Sequence, residues 1–399
     1  MAARRRGTRI LWIMIGLLAL LAAASAAVDY WLNADYAFPG GVAPPSGDDE
    51  PPLNNPPGNK WTPFWPVPPR IPRPKAVKGI YVTGYTIGKG HFPELLDLIA
   101  RTELNSVVVD LKDDNGRLTY PRTGVPWAAE AGAPYNFISD PVAFMKLLEQ
   151  RGIYPIARIV AFKDSLMACH QPGQAIQHRG GGLWRDGAGD YWLDPYNKEN
   201  WKYLVAVARE AAQLGFREIQ FDYVRFPDSG NLSSAVYPAE DGTPFNEVIP
   251  AFLRYARASL AEYEVELTVD AFGMVTTDPG GMGIGQHLES LASAVDYICP
   301  MVYPSHYESG NLGLPDPEAA PYETIYRSLA EAQRRLARAG VPAALRPWLQ
   351  SFNGRHHYGA LEVRAQINAA RDLGIDEFML WNAANYYIAG SLLPGGAEE

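Results

Sequence analysis

Short apolar stretches recur along the chain from residue 78 onward, and each is bounded by glycine, proline or polar residues. Short runs with few polar positions are typical of strands that are buried on both faces of a parallel sheet. Eight strands are predicted on this basis. They cover residues 78–85, 106–112, 154–162, 218–225, 266–272, 297–303, 346–352 and 377–381.

Helical patterns lie between these strands. Asp140 followed by Pro141 is a favourable helix start, because aspartate caps the first turn and proline suits its first position. Further helices are predicted over residues 95–99, 203–214, 249–263, 322–339 and 361–373. Four helices are followed by a glycine shortly before the next strand, at Gly152, Gly215, Gly340 and Gly374. The alternation predicts an α/β fold of the (β/α)8 type, a TIM barrel.

The alternative α/β fold is a doubly wound open sheet, which predicts a glycine-rich phosphate loop after the first strand. The run Gly88-Lys89-Gly90 has neither the dinucleotide fingerprint nor the Gly-Lys-Ser/Thr phosphate loop. We therefore interpret this run as a turn before a helix and favour the barrel.

Residues 1–30 predict an export segment. Arg4, Arg5, Arg6 and Arg9 precede an apolar run over residues 10–28, long enough to span a membrane. The segment is either a single-pass anchor, with the barrel outside the cell, or a signal cleaved near Ser25, which would give a secreted protein. Residues 31–76 hold a proline-rich stretch typical of a linker, and the barrel is predicted over residues 77–393.

Composition narrows the possible partners. The net charge of -9 argues against nucleic acid, and two cysteines are too few for a disulfide framework. The seven histidines show no metal-ligand spacing, so no metal or cofactor is predicted. The run from Asp113 to Gly116 predicts a turn, since it lacks the later glutamate of a calcium-binding EF-hand loop.

Acidic residues follow two neighbouring predicted strands. Asp222 and Asp270 lie at matching depth, at the strand ends that form the active-site face of such barrels. Two carboxylates at the mouth are what cleavage of a glycosidic bond requires. Asp222 is the predicted nucleophile, kept ionised by Arg158 or Arg225, and Asp270 the predicted general acid. Asp110 is a reserve candidate.

The other candidate residues would contact a sugar chain. Polar and charged groups near the mouth can hydrogen-bond its hydroxyl groups, and aromatic rings can stack on its apolar faces. The predicted substrate-binding residues are Asp110, Arg158, Arg225, Tyr303, Trp348 and Trp381.

Five sequence motifs resemble a family of exported bacterial proteins described as glycoside hydrolases. They are Val77-Lys78-Gly79-Ile80-Tyr81-Val82-Thr83-Gly84, Val107-Val108-Val109-Asp110-Leu111-Lys112-Asp113, Trp192-Leu193-Asp194-Pro195, Gly215-Phe216 and Phe221-Asp222-Tyr223-Val224-Arg225-Phe226-Pro227. The resemblance covers about residues 77–387 and implies an exported barrel that acts on sugars.

The chain is more distantly similar to the α-amylase superfamily, whose nucleophile and general acid match Asp222 and Asp270 in position. Gln220 stands where that pattern has arginine, and Gln350 on the seventh strand leaves no third acid. We expect a hydrolase of an extracellular or cell-envelope polysaccharide, by a retaining or an inverting mechanism. The alternative is a membrane-tethered, non-catalytic carbohydrate-binding barrel.

Overall fold

The computed structural model describes residues 71–341 and 343–395. Eight parallel strands form the barrel: β1 (Lys78–Val82), β2 (Ser106–Lys112), β3 (Tyr154–Val160), β4 (Glu218–Asp222), β5 (Glu266–Phe272), β6 (Tyr297–Met301), β7 (Trp348–Gln350) and β8 (Phe378–Trp381). A short ninth strand of the sheet, Ala344–Leu345, pairs with β6 before β7 begins. The strands pair in chain order, and β8 pairs with β1. Because Met301 of β6 also pairs with Trp348 of β7, the sheet closes into a barrel.

The described residues contain ten α-helices. Seven follow the first seven strands, one each: α1 (Phe92–Arg101), α2 (Pro141–Arg151), α3 (Lys198–Leu214), α4 (Phe245–Leu260), α5 (Leu288–Ala292), α6 (Pro321–Ala339) and α7 (Ala360–Arg371). The other three are short and lie after β1, β2 and β3: Gly84–Lys89, Pro126–Glu130 and Ser165–His170. The described chain after β8 contains only a short 3-10 turn, Ala389–Ser391. The predicted (β/α)8 barrel is confirmed, with an eighth unit that lacks a full α-helix.

Helix α2 has the predicted ends. The Asp140 side chain accepts a hydrogen bond from the backbone N–H of Ala143. At the other end, Gly152 has φ +63°, a left-handed conformation that glycine adopts at little cost.

Some predicted boundaries are wrong. Strand β4 ends at Asp222 and not at 225, because Tyr223 has φ +47° and takes the chain out of the sheet. Strand β1 ends at Val82, and the helix Gly84–Lys89 follows, so the predicted turn at Gly88 is helical. The side chain of Thr83 starts this helix by accepting a hydrogen bond from the N–H of Thr86.

The barrel interior is filled with side chains. Its apolar cluster consists of Val77, Tyr81, Val108, Tyr154, Ile156, Cys299, Tyr303, Trp348 and Met379. Residues beyond this cluster toward the C-terminal strand ends therefore lie at a mouth above a packed floor and do not line a channel.

At the opposite, N-terminal end, Arg346 closes the barrel. This fully buried guanidinium donates to Glu218 at 2.6 Å and to Glu377 at 2.7 Å. The first described residues are attached to this end of the barrel, since Arg73 forms ion pairs with Glu266 and Glu377.

Two long loops form part of the wall around the mouth. Gln177–His178, from the loop after β3, pairs antiparallel with Ala235–Val236, from the loop after β4. The run from Asp113 to Gly116 forms the predicted turn, in which the N–H of Gly116 donates to the carbonyl of Asp113.

The predicted export segment lies outside the described residues. Within residues 71–341 and 343–395, no helix combines the length and the apolar character that crossing a membrane requires.

Candidate active site

Eight inward-facing residues, one from each barrel strand or the residues just after it, surround the mouth. They are Tyr81, Asp110, Arg158, Asp222, Asp270, Tyr303, Trp348 and Trp381. Seven of them are among the residues predicted from the sequence. The alternation of side chains along each strand brings them to one face, because residues two apart point to the same side.

Asp222 is held by Arg158 from the neighbouring strand. The guanidinium donates to Oδ2 of Asp222 from Nε at 3.0 Å and from Nη2 at 2.6 Å. Both side chains are at most 8% exposed. Arg158 therefore fixes the position of this carboxyl group through two charge-assisted hydrogen bonds.

The same guanidinium holds a second carboxyl group. Its Nη1 donates to Oδ1 of Asp110 at 2.5 Å, and the hydroxyl of Tyr81 donates to Oδ2 of Asp110 at 2.8 Å. Burial raises the pKa of Asp110, while the positive charge of Arg158 partly opposes the increase. Arg158 therefore bridges β2 and β4 from β3.

Asp270 has a different environment. It is 1% exposed, and the indole N–H of Trp348 donates to its Oδ1 at 2.7 Å. Burial, and then the negative charge of Asp222, raise the pKa of Asp270 well above its usual range. No salt bridge involves this residue in the described part of the chain. Asp270 consequently retains a proton more readily than a solvent-exposed aspartate does.

The backbone next to Asp222 fixes its second oxygen. The N–H of Tyr223 donates to Oδ1 of Asp222 at 2.6 Å. Tyr223 reaches this position with φ +47°, which is uncommon and costly for a residue with a bulky side chain. The strained turn that ends β4 thus also orients the carboxylate.

Aromatic rings form the side of the mouth near β8 and β1. Tyr81 and Trp381 stack with ring centroids 4.0 Å apart, and Trp348 meets Trp381 edge to face at 5.6 Å. Trp381 is partly exposed, whereas Trp348 is 1% exposed. Of the predicted stacking residues, Trp381 has a ring accessible to a ligand in this structure.

Tyr303 carries a buried hydroxyl group that has no hydrogen-bond partner among the described residues. The ring is 3% exposed and packs edge to face against Phe352 and His306. Burying a hydroxyl group without a hydrogen-bond partner costs free energy. A bound ligand that supplied the partner would remove this cost and would explain why the group is there.

Arg225 lies apart from the other predicted residues. Its Nη1 donates to Asp228 at 3.0 Å and to the carbonyl of Phe226. The sequence left open which arginine contacts Asp222, and the structure gives that position to Arg158.

Two residues of this site were missed. Tyr81 is a tyrosine on an inward-facing position of β1, and that alternation could have indicated it. Tyr223 acts through its backbone conformation, which no local pattern predicts. Among residues 71–341 and 343–395, no group of three or more histidine, cysteine or acidic side chains could hold a metal ion.

Residues 79–387 match a family model described as "putative glycosyl hydrolase domain". The chain belongs to this glycosyl hydrolase family. The match includes every barrel strand except the first residue of β1, and all eight residues of the mouth. The sequence has no significant match among curated proteins.

Solved structures resemble this member of the family to different extents. A hypothetical protein from Ruminiclostridium thermocellum is 37% identical, over 51% of this chain and 98% of its own, with a TM-score of 0.45. The PgaB glycoside hydrolase domain from Bordetella bronchiseptica is 14% identical, over 77% of this chain and 94% of its own, with a TM-score of 0.57, and shares the fold. A maltogenic α-amylase from Thermotoga neapolitana is 13% identical, over 78% and 68%, with a TM-score of 0.46.

The strand register explains which arginine reaches Asp222. Gln220, two residues before Asp222 on β4, is the register partner of Arg158 on the adjacent strand β3. A guanidinium therefore reaches Asp222 from β3 in this chain. Gln220 instead contacts the sulfur atoms of Cys299 and Met379 inside the barrel.

Proposed function

We propose that this protein hydrolyses O-glycosidic bonds of an extracellular or cell-envelope polysaccharide, with Asp222 and Asp270 as its two catalytic carboxyl groups. One observation supports this most strongly: the two groups lie on adjacent strands in opposite electrostatic environments. Asp222 accepts two hydrogen bonds from Arg158, whereas burial and the charge of Asp222 raise the pKa of Asp270. Two neighbouring carboxyl groups in such different environments are typical of a general acid and a nucleophile or base.

In the proposed reaction, Asp270 donates its proton to the glycosidic oxygen as the bond from that oxygen to the anomeric carbon breaks. Asp222 either attacks the anomeric carbon or removes a proton from the attacking water. In the first case, water later hydrolyses the covalent glycosyl-enzyme, and Asp270 takes back a proton from that water. This two-step route returns both groups to their starting state. In the one-step route Asp222 ends protonated and Asp270 ionised, and proton exchange with solvent restores them.

The charge distribution favours the transition state of this reaction. Asp110 and Asp222 both pair with the guanidinium of Arg158, whose charge also acts on the nearby Asp270. With Asp270 protonated and the other two ionised, the cluster carries one net negative charge. A negative charge in a buried site stabilises the positive charge that develops on the sugar ring.

Two further groups support substrate binding in this proposal. Trp381 presents a partly exposed ring to a sugar face, while the hydroxyl of Tyr303 is available for a hydrogen bond to the substrate. Trp348 acts on Asp270 through its indole N–H.

The extracellular location rests on the basic and apolar pattern of residues 1–30, which lie outside the described part of the chain. Labelling of intact cells with a membrane-impermeant reagent tests it. We expect the barrel to be labelled, and protection of the barrel would contradict export.

Cleavage of a panel of bacterial polysaccharides tests the proposed function. Wild-type protein should release reducing ends from at least one glycan, and Asp222→Asn should abolish release without loss of stability. Glu266→Gln is the matched control, because Glu266 lies at the opposite end of β5 from Asp270. Binding without cleavage by wild-type protein would favour the non-catalytic carbohydrate-binding barrel.

A further inference from the structure

Exposed aromatic side chains lie on the three segments that follow β8, β1 and β2, beside the mouth. Tyr386 is 66% exposed, Tyr85 is 49% exposed and Tyr135 is 38% exposed. Tyr386 follows β8, Tyr85 follows β1, and Tyr135 lies in the loop after β2. Because β8, β1 and β2 are neighbours in the barrel, these side chains lie along one sector of its C-terminal end. We call these three residues the tyrosine rim.

Tyr386 is held in a fixed position. Its ring stacks on His91, with centroids 4.3 Å apart and planes 9° from parallel. The preceding residue, Asn385, is buried and has φ +58°. Its side-chain amide donates to the carbonyl of Tyr81 at 3.0 Å and accepts from the N–H of Thr83 at 2.9 Å. The loop after β8 is therefore attached to the end of β1, and it presents an aromatic ring to solvent without freedom to fold inward.

The other two tyrosines share one aromatic neighbour. Phe137 meets Tyr85 edge to face at 6.3 Å and stacks with Tyr135 at 5.9 Å. The guanidinium of Arg117 lies over the Tyr135 ring at 4.8 Å from its centroid. Contacts of this kind limit ring rotation, so binding to these rings costs little additional conformational entropy.

The rim is continuous with the candidate active site. The backbone carbonyl of Tyr81 accepts a hydrogen bond from the side-chain amide of Asn385, and the ring of Tyr81 stacks on Trp381 in the mouth. The loop that carries Tyr386 is thus joined to the strand whose Tyr81 ring stacks on Trp381. Tyrosine suits such a surface for sugars, because its ring packs on apolar C–H groups while its hydroxyl remains hydrated.

We propose that the tyrosine rim binds pyranose units of the same glycan chain that occupies the mouth, outside the sugar units that are cleaved. The inference rests on the proposed function and makes it more specific. The substrate is a long glycan, and part of its binding energy comes from units remote from the cleaved bond. A protein is the alternative ligand of the tyrosine rim, but a protein-binding surface would not need to adjoin Trp381 in the mouth.

Length dependence of cleavage tests this inference. The probes are malto-, cello- and chito-oligosaccharide ladders from disaccharide to octasaccharide, together with the polysaccharide identified in the panel. For Tyr386→Ala, the ratio of kcat/KM for the longest to the shortest cleaved chain should fall by about 3- to 10-fold, the size of one aromatic contact. Tyr85→Ala should lower the same ratio.

Tyr326→Ala is the matched control. Tyr326 is 38% exposed and stacks on Tyr322 on the outer helix α6, away from the mouth. It should leave the ratio unchanged. Unfolding midpoints for all variants confirm that each chain remains folded.

The possible failures are distinguishable. If wild-type protein cleaves glycans and Tyr386→Ala and Tyr85→Ala keep its length dependence, the tyrosine rim proposal alone is overturned. An equal loss for Tyr326→Ala would overturn it as well. If wild-type protein neither binds nor cleaves any glycan tested, the proposed function and the inference fail together.

Discussion

Arg158 makes two hydrogen bonds to a single oxygen of Asp222, from Nε and Nη2, while its remaining terminal nitrogen binds Asp110. Lysine keeps the charge but cannot span both carboxylates, because it has one nitrogen on a flexible stem. We expect Arg158→Lys to lower kcat by about 10- to 100-fold, the worth of a charge-assisted hydrogen bond in a buried site. Steady-state kinetics on the cleaved glycan measure this.

Arg346→Met serves as the comparison for that variant. Arg346 is equally buried, but it pairs with Glu218 and Glu377 at the N-terminal end of the barrel. Removing it leaves the buried carboxylate of Glu218 without a cation and should cost about 3–5 kcal/mol of stability. The kcat per folded molecule should stay near the wild-type value. A larger loss of kcat in Arg346→Met than in Arg158→Lys would contradict the assignment of the active site to the C-terminal end.

Trp348 lowers the proton affinity of Asp270 by donating a hydrogen bond to its ionised form. In Trp348→Phe this donor is lost, so the pKa of Asp270 should rise further. Because the general acid must be protonated, the alkaline limb of the pH–rate profile should move to higher pH. The kcat/KM across pH measures the shift, and movement of that limb to lower pH would show that Asp270 is not the acid.

Removal of the buried hydroxyl of Tyr303 should affect stability and activity differently. Phenylalanine removes a group that has no partner in the described structure, so Tyr303→Phe should keep the free energy of unfolding or raise it by up to about 1 kcal/mol. The same change should lower kcat/KM by about 10-fold if the substrate supplies the partner. Denaturant unfolding and kinetics together test this, and a stability loss without a kinetic effect would indicate a purely structural hydroxyl.

Asp113, in the turn after β2, gives the folded protein a pH dependence. Burial, and then the charge of Asp110, raise the pKa of Asp113 to about 7. The unfolded value is about 4. The folded state therefore keeps a proton that the unfolded state has lost, and this contribution to stability disappears as the pH rises from about 4 to about 7.

Asp113→Asn should reduce that decline. Asparagine retains the Oδ1 acceptor for the N–H groups of Asn115 and Arg117 but does not ionise. Denaturant unfolding across this pH range should show a flatter profile for the variant than for wild type. Identical profiles would mean that Asp113 titrates normally.

The main features of the barrel could be predicted from the sequence, because strand residues alternate and parallel strands align their ends. That alternation places Asp222 and Asp270 at one depth, and the register of Gln220 with Thr268 supports it. The strand ends were less predictable. Tyr223 is a good strand residue by type, yet its left-handed backbone ends β4 after Asp222.

Contacts between strands could not be predicted. Arg225 is closer to Asp222 in the sequence, but the chain leaves the sheet before it, and Arg158 reaches the carboxylate from β3. The orientation of Trp348 toward Asp270 depends on how side chains from four or more strands fill the barrel interior, which no local pattern encodes.

The central claim is that Asp222 and Asp270 have different catalytic roles, and the dependence of cleavage on the leaving group tests it most directly. In a 2,4-dinitrophenyl glycoside of the preferred sugar, the leaving group is 2,4-dinitrophenolate, which departs without being protonated. Asp270→Asn should keep kcat/KM for this glycoside close to the wild-type value, because kcat/KM reports the step in which the leaving group departs. On the natural glycan its kcat/KM should fall by about 10²- to 10⁴-fold. Asp222→Asn should lose activity on both. Equal losses on both substrates in Asp270→Asn, or retained cleavage in Asp222→Asn, would contradict the account.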